Sequence, residues 1–334
     1  MRTLRAALLL AASIVGLSAC GGSETPPPAT ASLRIGIVAK SLGNGFFDAV
    51  HQGADEAAGE LGAEVIFTGP PTPTAEGQIE IINALIAQRV DAIAVSANDP
   101  DALVPTLKRA LQRNIKVLSY DSAVAPEGRL VHLSPSSDAL IGATCAKLAA
   151  NATPNATGKI AVVSATPTST NQNAWLAQMR QALAQYPQLA LVDVVYGDDV
   201  SDKSYREAVA LIKRHPDLAV IVSLSSVGIV AAAKAVEDQG RAGTIQVTGL
   251  GLPSELAGYV ARDVVKEFAI WNPIDLGYAT TQVAVALARG ANPQGAPIPA
   301  GRMPAIAFDA AGVGAMAEPF TYDKSNVEQF AKIF

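Results

Sequence analysis

The segment LRIGIVAKSLGNGFF, residues 33–47, passes from an apolar strand through a polar loop into the start of a helix. Leu33–Ala39 is almost uniformly apolar, which is typical of a strand buried on both faces of a parallel sheet. Lys159–Ser164 leads in the same way into a polar loop at residues 169–173 and then a helix. Because this opening occurs twice, we predict an α/β fold with two lobes, each a parallel sheet covered by helices.

Strand and helix patterns alternate through most of the remaining chain. Further strands are predicted at Ala63–Thr68, Ala92–Ser96, Lys116–Tyr120, Val192–Tyr196, Leu218–Leu224 and Ile245–Leu250. Helices are predicted at Phe46–Leu61, Thr74–Arg89, Asp99–Arg113, Gln172–Gln185, Lys203–Arg214 and Val227–Glu237. Open parallel sheets bind ligands beyond the carboxyl ends of their strands, so the loops that follow these strands are the candidate site.

The loops after the strands are rich in amides, hydroxyls and aromatic rings, with one lysine and few carboxylates. This mixture suits a sugar, because hydroxyls need directed polar partners and the C–H face of a sugar ring packs on aromatic surface. The candidate contacts are Lys40, Asn44, Phe46, Phe47, Asp121, Asn171, Gln172, Ser225, Trp271 and Asn272. Leu224 would add an apolar wall.

Some of these residues have a structural alternative. Lys40 can form a surface ion pair instead. Phe46 and Phe47 point about 100° apart on a helix, so one can face a cleft while the other packs inward, but both can also be core residues. Asp121 can cap the turn that follows it. Asn171 can act as a helix N-cap.

The N-terminal segment predicts export. Arg2 and Arg5 precede an apolar run at residues 6–17, so residues 1–19 have the layout of a secretory signal peptide. The run is shorter than the roughly 20 residues of a membrane-spanning helix. The segment resembles a bacterial lipoprotein signal, which implies a lipid on Cys20 and a flexible tether over residues 20–32. An ordinary signal peptide with a chance cysteine is the alternative. We expect a periplasmic or cell-envelope protein that contacts the membrane only through its lipid.

Several stretches together resemble the type I periplasmic sugar-binding proteins of ABC importers, and most closely the rhamnose-binding proteins. The similar segments are residues 42–47, 95–101, 168–173, 202–208, 226–230 and 269–278, and the resemblance covers essentially all of residues 33–334. It implies two Rossmann-like lobes joined by a multi-crossing hinge that close around one sugar.

The resemblance also implies boundaries and partners. The N-terminal lobe would comprise residues 33–134 and 270–300, and the C-terminal lobe residues 135–269 and 301–334. The closed protein would deliver its sugar, for which rhamnose is the best match, to an ABC permease driven by an ATPase.

A sister group, the autoinducer-2-binding proteins, shares the same framework. Its contacts would fall on Lys40, Asp121, Asn171, Gln172, Leu224 and Ser226. That group has aspartate at the position of Asn171, proline at that of Leu224 and alanine at that of Ser226. These three differences favour rhamnose over autoinducer-2. This sequence also departs from the ribose-type pattern, which has an arginine at the position of Ser122. Other deoxyhexoses, pentoses, other small furanoses and autoinducer-2 remain alternatives, as does an extracytoplasmic sugar sensor.

Composition and motifs exclude other classes. The 334 residues carry a formal net charge of −5, or −7 without residues 1–19, and no basic runs, which argues against nucleic-acid binding. Cys145 is the only cysteine after Cys20, so no intrachain disulfide is expected and a buried, inert thiol is predicted. The scattered histidines form no metal or catalytic spacing. We expect a monomer that is not an enzyme and holds no metal or cofactor.

Overall fold

The computed structural model describes residues 32–334. The predicted signal peptide at 1–19, the predicted lipidation site Cys20 and the predicted tether up to residue 31 lie outside the described residues. The strands are β1 Arg34–Val38, β2 Glu64–Thr68, β3 Ala92–Val95, β4 Lys116–Tyr120, β5 Val131–Ser134, β6 Gly158–Ser164, β7 Leu189–Tyr196, β8 Leu218–Ser223, β9 Gln246–Gly249, β10 Glu267–Ile270, β11 Ile298–Ala300, β12 Met303–Ile306, β13 Val313–Ala315 and β14 Phe320–Asp323.

Helices connect most of these strands. They are α1 Gly45–Leu61, α2 Ala75–Ala87, α3 Val104–Gln112, α4 Asp138–Asn151, α5 Thr170–Ala182, α6 Ser201–Arg214, α7 Ser226–Asp238, α8 Pro253–Ala261, α9 Pro273–Ala288 and α10 Val327–Phe330. None of the helices within residues 32–334 has both the length and the apolar composition that crossing a bilayer requires.

The strands form two separate parallel sheets. The first lobe contains a six-stranded sheet in the order β13-β5-β4-β3-β1-β2, and the second contains a four-stranded sheet in the order β7-β6-β8-β9. The central strands β1, β3 and β4 are buried along nearly their whole length. Their apolar side chains therefore pack against helices on both faces, as the sequence indicates. The predicted α/β fold with two parallel-sheet lobes is confirmed.

The chain passes between the lobes three times. It leaves the first sheet after β5 and enters α4, which packs on α5 of the second lobe. It returns after β10 into α9, which packs on α1 and beneath β3 and β4. The last passage lies between β13, which pairs with β5, and β14, which pairs with β10. Hinges between lobes generally lie in a few residues of such connecting segments, so these three passages are where a hinge would lie.

One predicted boundary differs from the structure. Residues 301–334 were all expected in the C-terminal lobe, but Val313–Ala315 extends the first sheet at the edge beside β5. The backbone hydrogen bonds that make this strand are non-local, and three residues are too few to show a pattern in the sequence. The last passage between the lobes therefore lies after residue 315 rather than at 300.

Two predicted elements begin elsewhere. The predicted helix at Asp99–Arg113 starts only at Val104, because Asp99 Oδ1 accepts hydrogen bonds from the backbone N–H groups of Asp101 and Ala102. That local turn competes with the first helical turn. The predicted strand at Val192–Tyr196 begins earlier, at Leu189, and pairs with β6.

Helices α1 and α9 touch at glycines. A Cβ atom added to Gly53 would lie 1.8 Å from the Ile274 carbonyl oxygen, and one added to Gly277 would lie 1.9 Å from the Val50 carbonyl oxygen. These two glycines therefore let the helix backbones approach closely. The contact fixes the start of α1, which carries part of the candidate site.

Cys145 is buried in α4, and burial raises the pKa of its thiol to about 12. A thiol that stays protonated at neutral pH is a poor nucleophile, so Cys145 acts as a small core side chain. Among residues 32–334, no group of three or more His, Cys, Asp and Glu side chains is placed to hold a metal ion.

Candidate functional site

A cavity of about 400 Å³, part of which opens to solvent, lies between the lobes at the carboxyl ends of the sheet strands. Nine of the ten predicted contacts line it: Lys40, Asn44, Phe46, Phe47, Asp121, Asn171, Gln172, Ser225 and Trp271. The topology thus brings together loops that are more than 200 residues apart in the sequence.

A chain of hydrogen bonds links the two lobes across this cavity. Lys40 Nζ of the first lobe donates to Ser169 Oγ at 3.0 Å and to Asn171 Oδ1 at 3.3 Å in the second lobe. Asn171 Nδ2 donates back to Asp121 Oδ1 at 3.1 Å, and Ser96 Oγ donates to Asp121 Oδ2 at 2.7 Å. A cation and a carboxylate of one lobe are therefore joined through an amide of the other.

Lys40 is buried, with 4% of its surface exposed. Among the residues that the structure describes, no carboxylate oxygen lies within 4.0 Å of its Nζ, so the alternative of a surface ion pair does not apply. An ammonium group has three donors, and two of them reach Ser169 and Asn171. The third can serve an oxygen atom in the cavity.

Asp121 follows β4 directly and adopts a left-handed backbone conformation with φ of 56°. Such strain at a non-glycine residue is concentrated at functional sites, and aspartate tolerates it better than most side chains. Burial raises the pKa of its carboxyl, whereas the nearby Lys40 and the hydrogen bonds from Ser96 and Asn171 lower it, and the net shift is upward. Each carboxylate oxygen can accept a further hydrogen bond.

An aromatic cluster forms one wall. The rings of Phe46 and Phe47 meet edge to face at 5.2 Å, Phe46 meets Trp271 at 6.1 Å, and Trp175 meets Trp271 at 5.4 Å. Both phenylalanines are buried and both line the cavity, so neither is confined to the core of the lobe. Packing on several sides fixes the ring positions, which suits contact with the C–H face of a ring.

Three polar residues of the cavity wall are held in place by hydrogen bonds: two of them cap helices and the third is anchored to the end of β6. Asn44 caps α1 by accepting from Phe46 N, and Ser225 caps α7 by accepting from Gly228 N at 2.9 Å. Gln172 Oε1 accepts from Ser164 Oγ and from Ala165 N, which leaves its NH₂ group as the free donor. Caps and anchored amides such as these present polar groups with little conformational freedom.

Two asparagines differ from the other candidate contacts. Asn272 does not line the cavity, because its Oδ1 accepts from Ile274 N at 2.9 Å and its Nδ2 donates to Asp275 Oδ2 at 2.9 Å, which caps α9. Asn171 is not a helix N-cap, since α5 has Ser169 at that position. The Asn171 amide is instead committed to the bridge between the lobes.

The structure adds lining residues that the sequence analysis did not select: Trp175, Asp199, Ser226, Leu250 and Ile270. The two aliphatic side chains end strands of the second lobe, where an apolar residue is ordinary core composition. Asp199 lies in the loop after β7, and the rule that ligands bind after strand ends could have found it.

Two hydrogen bonds from threonine hydroxyls to backbone carbonyls also join the lobes at the cavity rim. Thr170 Oγ1 donates to Ala123 O at 3.1 Å, and Thr168 Oγ1 donates to Asn98 O at 3.3 Å. Together with the Lys40–Asn171–Asp121 bridge, they hold the two rims in direct contact. The arrangement encloses the cavity from both sides.

Comparison with known proteins identifies similar chains. Residues 35–292 match the periplasmic binding protein domain. A D-ribose/D-allose-binding protein from Pseudomonas aeruginosa is 29% identical over 262 residues, which cover 74% of this chain and 79% of that protein.

Two solved structures show the same fold. An ABC transporter solute-binding protein from Clostridium phytofermentas with bound L-rhamnose is 33% identical, with a TM-score of 0.86 over 91% of this chain and 99% of the other. LsrB from Clostridium saccharobutylicum in complex with AI-2 is 20% identical, with a TM-score of 0.83 over 89% of this chain and 99% of that one.

Proposed function

The chain belongs to the periplasmic binding protein family, and we propose that it captures L-rhamnose between its lobes and delivers it to an ABC import permease. The chain is a periplasmic sugar-binding protein of an ABC transporter. Members of this family bind solutes and are not enzymes.

The observation that carries the proposal is the composition of the cavity wall. One side presents the rings of Phe46, Phe47 and Trp271, and the other presents Lys40, Asp121, Asn171 and Gln172. A monosaccharide has both kinds of surface, because its C–H face is apolar and its hydroxyls both donate and accept.

Rhamnose, a 6-deoxyhexose, carries a methyl group where most hexoses carry a CH₂OH group. Leu224, Leu250 and Ile270 give the cavity an aliphatic region where such a methyl can be buried. Burying one methyl group contributes about 0.8 kcal/mol, a preference of roughly fourfold. The similar protein from Clostridium phytofermentas with bound L-rhamnose supports the same choice.

Other small sugars and autoinducer-2 are the competing ligands. The D-ribose/D-allose-binding relative supports a sugar without a methyl group. The autoinducer-2 interpretation depends on an aspartate at position 171, and the bridge described above instead uses the Asn171 NH₂ group as a donor. An ionised aspartate at position 171 could not donate to Asp121, so this contact between the lobes requires the asparagine.

A ligand screen tests the proposal directly. Purified protein spanning residues 32–334 is titrated calorimetrically with L-rhamnose, D-ribose, D-allose, D-arabinose and autoinducer-2, and its melting temperature is measured with each. A ligand that binds only the folded state raises that temperature. L-Rhamnose should give the lowest Kd and the largest rise. A sugar without a methyl group that binds tenfold tighter would overturn the rhamnose assignment, and tighter binding of autoinducer-2 would overturn the assignment to a sugar.

We also propose that Cys20 carries a lipid that ties the protein to the membrane, and that the protein acts as a monomer. Cys20→Ala should move the full chain from the membrane fraction to the soluble periplasmic fraction and abolish incorporation of labelled fatty acid. Sugar-dependent binding to membranes that contain the permease would separate a transport role from that of a sensor. A mass for residues 32–334 above that of one chain in light scattering would contradict the monomer.

A further inference from the structure

Two polar groups in the cavity wall have no hydrogen-bond partner among residues 32–334. They are Asp199 Oδ1 and Trp271 Nε1, and both atoms are buried. An unpaired buried donor or acceptor is costly, and such groups in a native structure call for an explanation. The carboxylate of Asp199 can only accept a hydrogen bond, and the indole N–H of Trp271 can only donate one.

The position of Asp199 is fixed by its loop. Gly197 N donates to Ser164 O at 2.8 Å and Asp198 N donates to Ala165 O at 2.8 Å, so the loop is tied to the end of β6. Asp198 and Asp199 both have left-handed backbones, with φ of 55° and 53°. Asp198 forms an ion pair with Lys203, whereas Asp199 faces the cavity. A strained loop that points one of two adjacent carboxylates inward is typical of a binding site.

The position of Trp271 is fixed by packing. Its ring is 3% exposed and meets the rings of Phe46 and Trp175 edge to face. The indole therefore cannot turn its N–H toward solvent without disturbing this cluster. A ligand oxygen can satisfy the N–H where it lies.

We infer that Asp199 and the indole N–H of Trp271 each hold a hydroxyl group of the bound ligand, which makes Asp199 a specificity-determining residue that favours neutral polyols. This inference rests on the proposed function. A hydroxyl both donates and accepts, so a polyol satisfies an acceptor and a donor in one wall. Asp199 and Asp121 outnumber Lys40 in formal charge, so sugar acids and sugar phosphates bind less well than the neutral sugar.

Conservative substitutions test the two contacts. Asp199→Asn keeps a side chain that tolerates a left-handed backbone and removes the charge. Trp271→Phe keeps an aromatic ring and removes the N–H. Asp198→Asn is the matched control, since this neighbour has the same backbone conformation and pairs with Lys203 outside the cavity wall. Calorimetric titration uses the sugar from the screen that wild-type protein binds most tightly, and melting temperatures without sugar report folding.

Asp199→Asn and Trp271→Phe should each raise the Kd at least tenfold, while Asp198→Asn should stay within twofold of wild type. D-Galacturonate should bind wild-type protein at least tenfold more weakly than D-galactose. In Asp199→Asn the ratio of these two Kd values should be smaller. Wild-type affinity in either substituted protein overturns the inference for that residue. If wild-type protein binds none of the neutral sugars, the proposed function fails instead, and the two failures are thereby distinguished.

Discussion

Asn171 of the second lobe donates from Nδ2 to Asp121 Oδ1 of the first lobe at 3.1 Å. The same amide accepts from Lys40 Nζ through Oδ1 at 3.3 Å, so its two ends serve groups of opposite charge. An amide can do both, because its oxygen accepts and its NH₂ group donates. Closure of the lobes and the polar chemistry of the cavity are therefore coupled at one residue.

Asn171→Asp should weaken sugar binding. The new carboxylate still accepts from Lys40, but it cannot donate to Asp121 and it places a like charge beside it. Loss of a charge-assisted hydrogen bond costs about 2 kcal/mol, which corresponds to a rise in Kd of about thirtyfold. Calorimetric titration with L-rhamnose measures this change in Kd. Asn173→Asp is the control, because Asn173 lies on the same helix and bonds to Pro167 O away from the cavity. Equal affinities of the two substituted proteins would contradict the proposed role.

Sugar affinity should fall on acidification at a pH above the usual carboxyl range. Burial raises the pKa of Asp121, and only the carboxylate can accept hydroxyl donors at both oxygens. Affinity is therefore full above this raised pKa and is lost as the pH falls through it. Asp121→Asn should bind at least tenfold more weakly at neutral pH and show a flatter pH profile. Titrations at several pH values give both profiles, and parallel profiles would remove Asp121 from the site.

The sequence was sufficient for the parts of this site that follow general rules. Strands β1 and β4 are buried apolar runs, so Lys40 and Asp121 could be placed at the ends of parallel strands. Asn171 and Gln172 could be placed because a helix start follows β6. Their meeting in one cavity followed from the two-lobe fold and from the resemblance to a known family.

Other parts of the fold and of the candidate site could not be derived from local sequence patterns. Helix α9 is buried on almost all sides, so it has no amphipathic period to detect. Strand β13 has only three residues and exists because β5 pairs with it. The inward turn of Asp199 depends on two consecutive left-handed residues, which composition does not reveal. Asn272 looked like a contact residue because nothing in the sequence distinguishes a helix cap from a ligand donor.

Gly53→Ala should destabilise the protein strongly. The added methyl group would lie 1.8 Å from Ile274 O, so α1 and α9 would have to separate. Overpacking of this kind costs roughly 1–3 kcal/mol or more. Gly59→Ala on the same helix meets no atom within 4 Å and should stabilise by about 0.5–1 kcal/mol, because alanine loses less backbone entropy. Denaturant unfolding of both proteins measures the difference. A similar stability for the two would show that the α1–α9 contact is not tight.

His132 should make the protein sensitive to acid. It lies in β5 with its Nδ1 3.0 Å from Ser119 Oγ, and burial together with Arg129 lowers its pKa from 6.5 to about 3. The unfolded chain binds a proton below pH 6.5 and the folded chain does not, so stability is complete above this value and decreases as the pH falls. The loss amounts to roughly 3 kcal/mol between pH 6.5 and 4. His132→Gln, which keeps a polar partner for Ser119 and does not titrate, should have a smaller slope of unfolding free energy against pH in that window. The same slope in both proteins would mean that other groups govern the acid sensitivity of the first lobe.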